Sequence, residues 1–175
     1  MDSVSLHPLL QYYQHTYRFG QTAAIVWDLR HSPIPFARHA IETLDFLSPA
    51  ELSQHATSPP ITQLTITCGI FVGDWTIQIR NQGGVTLEDV LQAIFECLQK
   101  QVRKEEWEGM CAKQQDVANM MFDVRWKSSL QPLDVRSKGV LRVDCLLYHT
   151  FFAGLSMSLE VDRTFILTLR RLPKK

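Results

Sequence analysis

The stretch Gly84-Val85-Thr86-Leu87-Glu88-Asp89-Val90-Leu91 decides the fold class, because it carries a helix start and opens the cleanest amphipathic pattern in the chain. Thr86 is placed as the N-cap. Its hydroxyl can accept from the backbone N–H of Asp89, and the carboxylates of Glu88 and Asp89 fall in the first turn, where the helix dipole favours negative charge. Leu87, Val90, Leu91, Ile94, Phe95, Leu98 and Val102 then recur at spacings of three and four. One stripe therefore faces a core and the other faces water, which predicts a helix from Leu87 to about Val102.

On the N-terminal side of this helix the period changes from 3.6 to 2. Leu64, Ile66, Cys68, Ile70 and Val72 alternate with Thr65, Thr67, Gly69 and Phe71, and Trp75, Ile77 and Ile79 repeat the pattern after Gly73-Asp74. The pair predicts a β-hairpin with one buried face. Further upstream, Thr22 to Leu29 reads as a strand broken by Ser32-Pro33-Ile34-Pro35, and Ala37 to Leu47 as a helix or an irregular excursion. The first 20 residues, with Tyr12, Tyr13, Tyr17 and Phe19, read as an arm that docks its aromatics on the body.

On the C-terminal side, Trp107, Met110, Cys111, Val117 and Met121 give a looser stripe that predicts a second helix from Lys104 to Trp126. Ser128 to Lys138 reads as loop. Strands are predicted at Val140 to Leu147, Phe152 to Leu159 and Arg163 to Leu172, the last two joined by a short turn at Val161-Asp162-Arg163. Strands, helices and strands again give an α+β fold: an antiparallel sheet of about five strands with two main helices packed on one face. The domain organisation is an N-terminal arm at residues 1–20 and one α+β domain at residues 21–175.

Composition narrows the classes of function. Of 175 residues, 45% are hydrophobic and 21% charged, which is ordinary globular usage. Lys+Arg and Asp+Glu are 18 each, so no net field draws the chain to nucleic acid or to an anionic membrane. Neutral proteins are prone to self-associate. No secretion signal or membrane span is read, which makes the expected location intracellular, cytoplasmic by default. Cys68, Cys97, Cys111 and Cys145 lie far apart, without metal-ligand spacing, and read as structural thiols.

Few residues carry a chemical signal. Arg142-Val143-Asp144 places two charges in an apolar segment, where an extended backbone would put both on one face. Asp28 and Arg30, beside Trp27, are the natural partners for an ion pair that fixes register. The same five residues, Trp27, Asp28, Arg30, Arg142 and Asp144, are the candidate ligand site if a pocket adjoins them. His31 and His39 flank a proline loop but lack a third ligand, and no metal or cofactor is expected. Cys145 with His149 four residues on resembles a thiol pair only in spacing. Lys100, Arg103, Lys104, Lys113 and Arg125 are interrupted by Glu105, Glu106, Glu108 and Asp116, as on a solvated helix face.

Trp27-Asp28-Leu29, Ala56-Thr57-Ser58-Pro59-Pro60, the capped helix start from Gly84, Glu106-Trp107, Gly139-Val140-Leu141-Arg142-Val143-Asp144 and Phe152-Ala153-Gly154-Leu155 follow one another in a characteristic order. In that order the chain, from about Leu6 to Leu169, resembles a domain of unknown function abundant in mushroom-forming fungi. The resemblance implies a compact α+β domain in small intracellular proteins, with no assigned activity or cofactor, and transfers no catalytic residue. That family often has a tryptophan in its final strand, where this chain has Phe165. The expected function is an intracellular, non-enzymatic binding or interaction module that meets a protein partner or a second copy of itself. The alternative is a small enzyme or ligand-binding protein using a pocket at Trp27, Asp28, Arg142 and Asp144.

Overall fold

A computed structural model describes residues 4–14, 23–40, 45–71 and 75–171. The expectations that rest on His15, Tyr17, Phe19, Thr22, Ile41, Leu44, Val72 to Asp74 and Leu172 lie outside the described residues.

The chain opens with β1 (Ser5–Leu6), β2 (Ile25–Val26), a helical turn α1 (Pro33–Phe36) broken at Ile34 and Pro35, and β3 (Arg38–His39). Next come α2 (Pro49–Leu52), β4 (Thr57–Ser58), β5 (Gln63–Thr67) and β6 (Ile77–Arg80). The helical third holds α3 (Leu87–Leu98), α4 (Lys104–Glu108), α5 (Ala112–Lys127) and α6 (Pro132–Ser137). A 3-10 segment (Arg142–Leu146) leads into β7 (Phe151–Met157) and β8 (Thr164–Arg170).

The helix at Thr86 forms as its sequence requires. The Thr86 hydroxyl accepts from the Asp89 N–H at 3.2 Å, and the Asp89 carboxylate accepts from the Thr86 N–H at 2.9 Å. The Asn81 side chain donates to the same carboxylate at 2.7 Å, tying the preceding turn to the cap. Leu87, Val90, Leu91, Ile94 and Leu98 are buried against the body, with Phe95 half-buried beside them. The helix ends at Leu98, one turn earlier than the stripe predicts.

The main sheet differs from the expected one. It has four strands, in the order β6-β5-β8-β7, flanked by two small ribbons, β1-β4 and β2-β3. β5 and β6 form one antiparallel hairpin and β7 and β8 another, and the two join through a parallel pairing of β5 with β8. Period-two patterns report which face of each strand is buried. They carry no information on which hairpin edge meets which, and that is why five antiparallel strands were expected. Leu64, Ile66, Ile77, Ile79, Phe165, Leu167 and Leu169 all fill the buried face as predicted, while Met157 and Leu159 are exposed at the end of the second hairpin.

The helices also depart from expectation. Among the described residues α3 is the helix that lies on the main sheet, over β6, whereas α5 packs on the 3-10 segment and on α6. The predicted helix from Lys104 to Trp126 breaks at Gly109, Met110 and Cys111, the weak point that glycine introduces. The Ser128–Lys138 stretch, expected as loop, contains α6, which starts at Pro132, where the missing N–H costs nothing. The predicted strand Val140–Leu147 keeps only a single bridge, Gln101 to Leu141, before winding into the 3-10 segment.

Residues 4–14 run along the body. Leu6 and Leu10 are buried, and the Leu155 N–H and C=O bond the Leu10 C=O and the Tyr12 N–H at 2.7 and 2.8 Å. Gly154 permits this approach: a Cβ there would sit 2.5 Å from Tyr12 Cα, and its φ is +120°.

Candidate functional site

The site is organised by the 3-10 segment, all five residues of which are buried. Its entry is capped by its own carboxylate, Asp144 Oδ2 accepting from the Leu141 N–H at 2.9 Å. A 3-10 helix turns about 120° per residue, so positions two apart leave on different sides. Arg142 and Asp144 therefore diverge, where a strand would have placed them on one face.

Arg142 enters a tight polar pocket of the core. Its Nη2 donates to Glu106 Oε1 at 2.7 Å, its Nη1 reaches Cys97 Sγ at 3.4 Å, and its guanidinium stacks 4.9 Å from the Trp75 ring centre. Glu106 also accepts from the Arg103 N–H and Nε, both at 2.9 Å. Burial alone would raise the Glu106 pKa; the Arg103 backbone and the two guanidiniums outweigh it and hold the carboxyl at about 2. Glu106, expected on a solvated face, is the N3 residue of α4, accepts from the N–H of the N-cap residue Arg103 and is 6% exposed. Its one sequence signal is the i, i+3 spacing from Arg103, which suits an ion pair on a helix.

Asp144 turns the other way, onto Arg125. Arg125 Nε and Nη2 donate to its two oxygens at 2.9 and 2.7 Å, and Nη2 also reaches the Gly139 C=O at 2.9 Å. Arg125, expected on a solvated helix face, pins α5 to the 3-10 segment. Nothing in local spacing connects residues 125 and 144. Cys145, between them and the core, is pushed up to about 12 by burial first, then by the charges of Asp144 and Glu106. Its thiol stays protonated and is a poor nucleophile. The His149 imidazole meets Arg171 at 3.2 Å rather than Cys145.

Of the five expected site residues, Trp27 is core. It is fully buried, 6.1 Å from the Phe152 ring, and donates Nε1–H to the His31 C=O at 2.9 Å. Asp28 is taken by Arg30 through its Nε and Nη2. The expected pairing of these two with Arg142 and Asp144 does not form. Arg30 and Asp144 nevertheless meet at a cleft of about 360 Å³. Arg30 and His31 form one wall, Arg125 and Val124 of α5 the other, and Asp144 with Thr150 the floor side. His39 pairs with Glu51 at 2.9 Å and the His31 ring lies tilted against Phe36, so the two histidines have separate partners. Among the described residues no group of three His, Cys, Asp or Glu side chains is placed to hold a metal ion.

A family of unknown function, DUF6699, matches residues 25–163. The chain belongs to this family. The DUF6699 match takes in α3, the 3-10 segment and every residue of the cleft, and stops just before β8, the strand that joins the two hairpins. No curated protein and no solved structure matches the chain. Among the described residues no helix is long and apolar enough to cross a membrane.

Proposed function

We propose that this DUF6699 protein is an intracellular, non-enzymatic interaction module that pairs with a second copy of itself through the α5–α6 hairpin. The observation that carries the proposal is how little of that hairpin its own domain covers. α5 is 16 residues long and buries only Ala118, and α6 buries none of its residues. Helices in proteins owe most of their stability to an apolar face packed on something, and one this long is marginal alone. Met120 and Val124 are exposed on α5, and Leu130 and Leu133 are 102% and 81% exposed around the turn into α6.

Charge supports a second copy as the occupant. Asp116, Asp123 and Asp134 are interspersed with Lys127, Arg136 and Lys138 along the hairpin, a mixture that complements itself across a two-fold axis. The net charge of zero sets no repulsion between copies. Four free cysteines, two of them buried, fit a reducing compartment. The ordered motifs from Trp27 to Leu155 support placing the protein among those of mushroom-forming fungi. Amide exchange followed at low and at high protein concentration tests the proposal. Protection of α5 and α6 amides should rise with concentration while that of α3 stays constant, and concentration-independent exchange in α5 would refute it.

A further inference from the structure

We infer that the cleft between α5 and the turn after Leu29 binds a small molecule bearing one carboxylate on an apolar body. The cleft shares Val124 with the hairpin surface proposed above but rests on different observations. Three donors on its walls have capacity that the protein leaves unused. Arg30 commits Nε and Nη2 to Asp28, and Arg125 commits Nε and Nη2 to Asp144 and the Gly139 C=O. Neither Nη1 has a protein acceptor among the described residues. Thr150 is 6% exposed, yet its hydroxyl has no hydrogen-bond partner among the described residues. That hydroxyl lies at the cleft wall, open to a bound group. Of the serines on the same wall, Ser128 Oγ donates to the Val124 C=O, and Ser129 Oγ accepts from the Gln131 N–H.

Each guanidinium is clamped along one edge by a carboxylate, so its direction is set before a ligand arrives and little order is lost on binding. The free N–H groups suit a carboxylate oxygen. Charge selects the valence. Arg30 and Arg125 are balanced by Asp28 and Asp144, so one negative charge can be held by hydrogen bonds, while a phosphate dianion would face two carboxylates without surplus positive charge. The rest of the lining is apolar: Met121, Val124 and Val143. A volume of about 360 Å³ lies at the small end of ligand pockets, about 300–1,000 Å³.

The test is an NMR titration of the full chain with octanoate, phenylacetate and 4-phenylbutyrate, using octanol and inorganic phosphate as controls. At least one of the carboxylates should saturate the Thr150 amide and Arg30 Nε–H shifts with a Kd of about 1 mM or tighter, and neither control should do so. Thr150→Val, which keeps the side-chain shape, and Arg30→Gln, on a half-exposed side chain, should each weaken that binding about tenfold and leave the rest of the spectrum intact. Failure of all three carboxylates to saturate, or unchanged affinity in both variants, overturns the inference. Octanol binding as tightly as octanoate would leave only an apolar trap, and phosphate binding as tightly at the same residues only an anion site; either result also overturns it.

Discussion

Asp144 is 3% exposed at its side chain, and Arg125 faces it with two donors. Removing one member of such a pair strands the other in a poorly polarisable interior. Arg125→Leu should therefore lose about 3–5 kcal/mol of stability in urea unfolding, and adding Asp144→Leu should recover much of it. Glu106 sets a pH dependence. Its carboxyl falls from an ordinary 4.5 to about 2 in the fold, so its contribution is complete above about pH 4.5 and is lost as the pH drops toward 2. Glu51, Asp89 and Asp123 are also lowered, by the hydroxyl, amide and ammonium groups around them, and lose stability in the same direction. Glu106→Gln should shrink the fall in stability between pH 4.5 and 2 relative to the parent chain; an unchanged profile would show that the Arg103 and Arg142 contacts do not stabilise the charged form.

Elements were legible where their cause is local. Thr86 and Asp89 announce a cap because both partners lie within one turn, and Thr86→Ala should cost about 1 kcal/mol, read from thermal unfolding. The β5–β6 and β7–β8 hairpins were legible for the same reason: alternation and a nearby turn define each pair. The 3-10 segment was not, since Arg142-Val143-Asp144 alternates like a strand, whereas in the fold Asp144 turns back to accept from the Leu141 N–H. The candidate site was half legible. Arg30 and Asp144 were named from charge in apolar surroundings, whereas Arg125 and Thr150 reach the cleft through long-range packing that no spacing records. The N-terminal segment makes its own prediction. Gly154→Ala would drive a Cβ into the Tyr12 backbone and strain a positive φ, so it should detach residues 10–12 from β7. Faster exchange of the Tyr12 and Leu155 amides would report it, and unchanged exchange would contradict the close approach.

At the scale of the molecule, two local hairpins are joined by one parallel pairing, and the chain between them carries α3 to α6 and the 3-10 segment. α3 is absorbed into the core under the sheet, and α5 with α6 is left largely outside it. That imbalance leaves α5 and α6 free to meet a second copy, and sedimentation equilibrium over a wide concentration range reads the pairing. The parent chain should move from about 20 kDa to twice that mass as concentration rises, and Leu130→Asp with Leu133→Asp should remain at the monomer mass with an unchanged thermal midpoint. A parent chain that stays at 20.1 kDa throughout would rule out pairing through the α5–α6 hairpin.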